Sequence, residues 1–431
     1  MKDRPATHTF LQSASPEIAG GKREPAISAS HTEVIVCHGC DHYFDSVPCK
    51  PGYQLNCNYC GSVLQTHHRN WLSRAGAFTV AGVVLFVMTV SFPFLGLEAG
   101  GQQQLSQLLS GVLALLDREQ FILASLVFVT IFLLPLVELL CLAFVIAARW
   151  FDVKPRGLNA VMQLLFISRP WNMMEIFFIS VLITSIKLGD IASLIPGVGL
   201  YAFAGLILVL IYTHMHLDRH ALWQWLRYDN RFVVSEGDKL AVCHCCDALV
   251  SERLSHCPRC QSKVRRRIYD SYQRTLALLV AATILYLPAN LLPIMTTVQF
   301  GVERTDTILS GIMHLFEAGN FFIAGIVFVA SMLVPILKIV TLAYLLWAIK
   351  KKQQGSPKRQ TFIYRVTEFV GRWSMIDVFV VTLLVAMVQF GVLANVEPNG
   401  AIVCFAGVVV LTMLAAETFD PRLLWDAHND Q

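Results

Sequence analysis

The sequence predicts an all-α polytopic membrane protein, with two tandem parallel repeats of four transmembrane helices, each preceded by a small cysteine-rich module. Three observations lead to this prediction. The 431 residues are 55% hydrophobic and only 15% charged, with a mean hydropathy of +0.56, which is too apolar for a water-soluble globular protein. Apolar runs of membrane-spanning length recur along the chain. The same short motifs also appear in both halves of the sequence.

Eight apolar runs are long enough to cross a hydrocarbon core of about 30 Å, which requires about 20 helical residues. The predicted spans are 74–96, 120–148, 173–195, 197–217, 273–293, 320–349, 373–393 and 399–416. Two shorter apolar segments, 104–116 and 306–317, are predicted to be interfacial helices on the outer face of the membrane.

The distribution of basic residues predicts the orientation, because cytoplasmic loops carry an excess of Lys and Arg. Segments 149–170, 217–274 and 350–372 contain four, eleven and seven basic residues. The opposite loops, 97–119 and 294–319, contain one each. We therefore expect both termini and the central loop to be cytoplasmic.

Motifs that recur at an offset of 200 to 206 residues indicate a tandem duplication. They include Leu-Ser-Gly at 109–111 and 309–311, Leu-x-Pro at 133–135 and 333–335, and Phe-Ala-Gly at 203–205 and 405–407. Since four spans are an even number, both repeats enter the membrane in the same direction. The predicted units are a disordered leader (1–32), the first cysteine module (33–68), the first membrane module (69–226), the second cysteine module (239–266) and the second membrane module (267–426).

Eight of the twelve cysteines form four Cys-x-x-Cys pairs, with sixteen residues between the pairs of the first module and ten between those of the second. Two such pairs can offer four thiolates to one structural zinc ion, so each module is predicted to be a zinc ribbon. The predicted ligands are Cys37, Cys40, Cys57 and Cys60, and Cys243, Cys246, Cys257 and Cys260. Disulfides and a thioredoxin-like redox motif are the disfavoured alternatives. Cys49 and Cys245 are additional thiols without a predicted role.

Ionisable residues inside predicted spans are candidates for a function, because burying a charge in a membrane is costly. Glu138 and Lys338 occupy equivalent repeat positions, as do Glu175 and Asp377. In the second repeat, helix geometry permits a polar cluster of Ser331, Lys338, Ser374, Asp377 and Thr412. Either a structural salt bridge between Lys338 and Asp377 or a proton or substrate role would account for it.

In the first repeat the equivalent pair consists of two acids, Glu138 and Glu175. Two carboxylates side by side in a low dielectric cannot both stay ionised, so either one is protonated or a base such as Lys187 intervenes. Lys187 is expected nearer the outer surface.

The phrases TLALLVAATILYLPANLLPI (275–294), SGIMHLFEAGNFFIAGIVFVASMLVPILKI (310–339), EFVGRWSMIDVFVV (368–381) and TFDPRLLWD (418–426) carry a family resemblance, together with both cysteine modules. The sequence resembles the paraquat-inducible protein A family over residues 33–426. This resemblance implies a multi-pass inner-membrane protein of Gram-negative bacteria that exchanges lipid with a periplasmic MCE-domain tunnel protein. It also implies that the cysteine modules are zinc ribbons, and that Lys338 and Asp377 belong to an intramembrane polar cluster for which proton coupling is a reasonable idea.

The leading functional hypothesis is therefore a non-enzymatic subunit of a phospholipid transport system. A membrane redox enzyme and a membrane-anchored zinc-ribbon scaffold are the alternatives from other classes. Basic and acidic residues are nearly balanced (34 and 30), so we expect no nucleic-acid partner. ATP hydrolysis is not expected either, because the sequence has no G-x-x-x-x-G-K-[ST] motif.

Overall fold

The structure, a computed structural model, describes residues 34–45, 53–66, 71–99, 102–188, 193–226, 240–299, 302–317, 319–351, 356–387 and 394–429. The predicted leader and Cys49 lie outside these residues. The first cysteine module consists of two antiparallel hairpins, β1 (Val34–Val36) with β2 (Tyr43–Asp45) and β3 (Gln54–Asn56) with β4 (Val63–Thr66). Each hairpin carries one Cys-x-x-Cys pair in its turn.

The first membrane module contains eight helices and three strands within the described ranges. The helices are α1 (Trp71–Ser91), α2 (Ser110–Asp117), α3 (Phe121–Phe128), α4 (Leu134–Trp150), α5 (Leu158–Ser168), α6 (Met174–Leu188), α7 (Val198–His216) and α8 (Arg219–Trp225). The strands are β5 (Leu95–Ala99), β6 (Gln102–Ser106) and β7 (Ser193–Pro196).

The second half repeats this arrangement. Its cysteine module contains β8 (Leu240–Val242), β9 (Leu249–Ser251) and an isolated bridge between His256 and Lys263. The second membrane module contains the helices α9 (Ser271–Leu291), α10 (Ile308–Glu317), α11 (Phe321–Phe328), α12 (Val334–Lys350), α13 (Pro357–Gly371), α14 (Ile376–Met387), α15 (Gly400–Thr418) and α16 (Arg422–Asn429), and the strands β10 (Met295–Gln299), β11 (Val302–Asp306) and β12 (Ala394–Pro398).

Seven helices in the described residues are long and apolar enough to span a membrane, and they confirm the prediction of a helical multi-pass protein. They are Trp71–Ser91, Phe121–Trp150, Leu158–Ile186, Val198–His216, Ser271–Leu291, Ala324–Lys350 and Gly400–Thr418. The third span includes α5 and therefore begins well before the predicted residue 173. The predicted seventh span, 373–393, corresponds to the twelve residues of α14, and 388–393 lie outside the described residues.

The predicted outer loops contain short β-strands, which the prediction of an all-α membrane protein did not include. In each membrane module a hairpin from one loop pairs antiparallel with a strand from the other, giving the orders β6-β5-β7 and β11-β10-β12. The predicted interfacial helix at 104–116 is shorter, because residues 102–106 form β6, whereas α10 nearly coincides with the predicted 306–317.

The second transmembrane helix of each module is interrupted by a π-helical segment, Val129–Leu133 in the first and Val329–Leu333 in the second. Each segment ends just before Pro135 or Pro335, which cannot donate a backbone hydrogen bond to the preceding turn. Each segment also contains a buried hydroxyl that donates to the carbonyl four residues before it. Thr130 Oγ1 donates to Leu126 O at 2.9 Å, and Ser331 Oγ donates to Val327 O at 2.5 Å.

The two membrane modules meet through α6 and α14. Phe177 and Phe379 pack edge to face with ring centroids 5.6 Å apart, and Ser180 Oγ donates to the carbonyl of Ile376 at 3.1 Å. A single apolar cluster runs through both modules at this interface. The halves are therefore joined by a packed, largely apolar contact rather than by a linker alone.

Each cysteine module packs against the membrane module of the opposite half. The four cysteines of the first module share an apolar cluster with side chains of α12, α13 and α16, including Leu345, Tyr364 and Trp425. Those of the second module share one with α4, α5 and α8, including Leu158 and Trp223. The cysteine modules are thus exchanged between the two halves. The order of the modules in the sequence does not reveal this exchange.

Candidate functional site

Two buried cysteine clusters form where the spacing predicted them. In each cluster the four sulfur atoms lie within 4.8 Å of one another. The distances are 3.4 Å for Cys37–Cys60, 3.6 Å for Cys40–Cys57, 3.4 Å for Cys243–Cys260 and 3.6 Å for Cys246–Cys257. These separations exceed a disulfide bond of about 2.05 Å, so the cysteines are free thiols in a four-sulfur arrangement.

The four thiols of each cluster can all be ionised together only if a cation lies among them. Hydrogen bonds from Cys37 and Cys246, with those of other neighbouring thiols, lower the pKa of Cys57 to about 7 and that of Cys243 to about 6. The pKa of Cys40 is raised, first by its hydrogen bond to Cys37 and also by burial. Four thiolates at this distance repel one another unless a positive ion neutralises them, which a tetrahedral metal ion does.

Hydroxyl and amide groups surround the sulfur atoms. Ser62 Oγ lies 2.9 Å from Cys60 Sγ, and Ser262 Oγ lies 2.9 Å from Cys260 Sγ. The backbone N–H of Gly39 donates to Cys37 Sγ at 3.4 Å. Cys245 is half-buried beside the second cluster and is not among its four members.

The polar cluster of the second membrane module converges on one backbone carbonyl. Lys338 is only 2% exposed, and its Nζ donates to Gly371 O at 3.2 Å. Ser374 Oγ donates to the same oxygen at 2.8 Å. Both donors therefore satisfy a carbonyl at the end of α13, and this is the hydrogen bond that the structure gives the ammonium group.

The other predicted members of this cluster are also buried. Ser331 and Thr412 are 0% and 1% exposed, and each donates to a carbonyl of its own helix. Asp377 is 8% exposed at the start of α14. The hydrogen bond of Lys338 goes to the Gly371 carbonyl, and a role for Lys338 and Asp377 as a pair remains a prediction.

The first membrane module differs from the expectation of an acid pair. Glu138 is completely buried, whereas Glu175 is exposed. The Glu138 carboxylate instead contacts two groups: Asn172 Nδ2 donates to Oε2, and His214 Nε2 lies against Oε1. The base beside Glu138 is therefore His214. Lys187 lies in α6, and its side chain is outside the described part of the chain.

Sequence reasoning missed Asn172, His214 and Gly371. Asn172 occupies the repeat position of Ser374, so self-comparison could have identified it. His214 has Ala416 as its counterpart, so comparison of the two repeats gives no signal for it. Gly371 contributes a backbone oxygen, for which side-chain patterns carry no signal.

Comparisons with known proteins follow the same division into halves. A family model described as Paraquat-inducible protein A matches the chain twice, over residues 72–227 and 272–429. "Intermembrane transport protein PqiA" of Escherichia coli (strain K12) is 34% identical over 402 residues, which cover 91% of this chain and 95% of that protein. No solved structure matches the chain.

Two further relatives also align along nearly their whole length. "Lipophilic envelope-spanning tunnel protein A" of Escherichia coli (strain K12) is 33% identical over 396 residues, 91% of each chain. "Probable intermembrane transport protein" of Haemophilus influenzae is 28% identical over 409 residues, 92% of this chain and 97% of that protein.

Proposed function

The chain belongs to the paraquat-inducible protein A family, and on this premise we propose that it is the inner-membrane subunit of an intermembrane lipid transport system. The main support for this proposal is the match, along nearly the whole chain, to relatives named as intermembrane transport proteins. The seven apolar helices supply the membrane domain that such a role requires. In this proposal the chain exchanges phospholipid with a periplasmic MCE-domain tunnel protein.

The proposed orientation puts both termini and both cysteine modules in the cytoplasm. The excess of basic residues on one side supports it, since such residues favour the cytoplasmic face. The strands β5–β7 and β10–β12 then lie on the periplasmic side, where a tunnel protein would dock. The cysteine modules would each hold one structural zinc ion, and the reducing cytoplasm would keep their thiols available.

Lys338 supports a proton-coupled version of this function. An ammonium group in the interior of a membrane is costly unless it is neutralised or well solvated by protein groups. Lys338 is nearly fully buried and reaches a carbonyl and a serine-bearing turn. Binding and releasing a proton here, with Asp377 on the adjoining helix, would couple helix movement to the proton gradient.

The test is lipid transfer from vesicles containing the full chain to a purified MCE-domain tunnel protein, with and without a proton gradient. Asp377→Asn is nearly isosteric but cannot titrate, so it should abolish gradient-driven transfer while the protein still folds. Glu175→Gln is the matched control, since this acid at the equivalent repeat position is exposed and should tolerate the change.

Failure of the wild-type protein to move lipid to the tunnel protein would contradict the transport proposal. Transfer that is indifferent to the gradient, or full activity of Asp377→Asn, would remove only the proton coupling at this residue. Lys338→Met, which keeps most of the side-chain volume without the charge, provides a second variant for the same comparison.

A further inference from the structure

The first membrane module contains a buried acid and base that the function proposed for Lys338 does not use. Glu138 has no exposed surface, and its two carboxylate oxygens meet different partners. Asn172 Nδ2 donates to Oε2, and the imidazole Nε2 of His214 lies against Oε1, a buried oxygen that accepts no aligned hydrogen bond from the described residues. Three separate segments supply these groups: α4, the turn before α6, and the end of α7.

The contact between Glu138 and His214 joins the interior of the first membrane module to the end of α7. Leu139, the neighbour of Glu138, packs against Gly82, which lies eleven residues, or about 17 Å of helix, from the start of α1. His214 lies only two residues from the end of α7. The side chain of His214 is 13% exposed and that of Glu138 is 1% exposed, so the imidazole reaches from an accessible edge to an enclosed carboxylate.

Few other charged groups face this pair. The buried residues of α1 (Ala75, Gly76, Thr79, Gly82, Phe86 and Thr89) and of α5 (Leu158, Met162, Leu165 and Ser168) include none that titrates near neutral pH. The guanidinium of Arg169 and the thiol of Cys141 interact electrostatically with Glu138. Glu175 of α6 is exposed, and His216 of α7 stacks on Tyr212 and binds its carbonyl.

The equivalent place in the second module has different chemistry. Lys338 replaces Glu138, Ser374 replaces Asn172 and Ala416 replaces His214. Ala416 has no imidazole, and its backbone carbonyl accepts a hydrogen bond from Tyr364. An acid paired with an imidazole is therefore specific to the first module, and a packing role common to both repeats would not require it.

We propose that Glu138 and His214 form a proton-binding site in the first membrane module, separate from the Lys338 cluster. Imidazole is the side chain that ordinarily titrates near neutral pH, and that of His214 is 13% exposed near the end of α7. A hydronium ion gives its proton to His214 Nε2 and leaves as water. The proton is then shared between Nε2 and Glu138 Oε1, and the net charge of the pair changes from minus one to zero. Asn172 holds the other oxygen throughout and fixes the carboxylate.

The site can be tested in the absence of lipid transfer. The full chain, labelled with ¹⁵N-histidine and embedded in lipid nanodiscs, is titrated by NMR, and the His214 signal is identified by its loss in His214→Gln. We expect this signal to titrate, and its midpoint to move by about one pH unit, a tenfold change in proton affinity, in Glu138→Gln. The matched controls are Glu175→Gln and His216→Gln, which should leave the His214 midpoint unchanged.

A His214 signal that does not titrate, or a midpoint that is the same in Glu138→Gln and wild type, would overturn the proposal. If Glu138→Gln does not fold, infrared difference spectra of wild type and His214→Gln follow the same pair from the carboxyl side. A protonated-carboxyl band that responds to pH in wild type and changes in His214→Gln supports the site, and identical spectra contradict it.

The relation to lipid transport is tested separately. Lipid transfer by the wild-type protein tests the transport proposal, whereas the titration alone tests the proton-binding site. If both hold, Glu138→Gln should change the dependence of transfer on cytoplasmic pH and Glu175→Gln should not.

Discussion

At the scale of single residues, the lack of a side chain at Gly371 leaves room for the buried side chain of Lys338. A Cβ atom at this position would lie 2.9 Å from Cε and 3.2 Å from Nζ of Lys338. Gly371→Ala should therefore displace the ammonium group from the Gly371 carbonyl, with a loss of stability of about 1–3 kcal/mol from overpacking. The expected result is reduced lipid transfer with a modest fall in Tm.

Gly325→Ala is the control for this prediction. Gly325 also lies in a helix, but a Cβ there would meet no heavy atom within 4 Å. Transfer activity should be kept in Gly325→Ala, and equal activity of both variants would contradict the crowding of Lys338.

Asp420, just beyond the last transmembrane helix, predicts a dependence of stability on pH. Burial opposes its charge, but hydrogen bonds and the charge of Arg422, at 3.0 Å, outweigh burial and lower the pKa of Asp420. A carboxyl whose pKa is lower in the folded state contributes stability above its unfolded pKa, and this stability is lost as the pH falls through the folded value. We expect the Tm of the detergent-solubilised protein to fall below about pH 4.

Asp420→Asn should lower the Tm at pH 7 and weaken its acid dependence, whereas Asp117→Asn, at an exposed position, should not. Metal content must be measured at each pH, because cysteine clusters also release metal in acid. An unchanged acid profile in Asp420→Asn would assign the effect to other groups.

At the scale of elements, the sequence predicted the features that depend on neighbouring residues. It was less informative about contacts between residues that are far apart in the chain. Long apolar runs such as 120–148 lie within one or two residues of the observed span, since twenty apolar residues in a row have few alternatives. The strand β7 pairs with β5 from a distant loop, and its four residues, Ser-Leu-Ile-Pro, do not alternate. The hydrogen bond from Lys338 to a backbone oxygen is equally invisible to side-chain patterns.

The sheet of the second module provides a topology prediction. Thr305 is exposed on β11 and pairs with Thr296 of β10. If these strands lie on the periplasmic side, Thr305→Cys should react with a membrane-impermeant maleimide in intact cells. Arg253→Cys, at an exposed position of the second cysteine module, should react only after lysis. The reverse pattern would invert the proposed orientation, and unmodified protein gives the background of the native cysteines.

At the scale of the whole molecule, the two buried four-cysteine clusters predict the metal content. Each has four sulfur donors within 4.8 Å, so purified protein should contain two zinc ions per chain. Elemental analysis checks this number. Iron in place of zinc, or one ion or none, would contradict the prediction. Cys141→Ser alters a buried thiol of α4 outside both clusters and should leave the metal content unchanged.

The exchange of cysteine modules between halves determines what metal loss should do. Arg365 of α13 donates to the carbonyl of Cys60 at 3.1 Å, and Gln163 of α5 donates to the carbonyl of Cys260 at 2.6 Å. Arg365 and Gln163 occupy equivalent repeat positions, as do the two cysteines. The same contact is therefore made twice, and each time it joins a cysteine module to the membrane module of the other half.

Cys257→Ser should consequently disturb the first membrane module, although Cys257 belongs to the second half of the sequence. Loss of the metal removes folding free energy on the order of 10 kcal/mol from a module too small to fold on its own core. Its contacts with α5 and α8 then disappear, and hydrogen–deuterium exchange should increase there, with α12 and α13 little changed. Cys57→Ser should give the opposite result, with faster exchange in α12 and α13. The two variants control for each other. If each instead loosened the membrane module that follows it in the sequence, the exchanged arrangement would be contradicted, because a module can protect from exchange only the helices on which it packs.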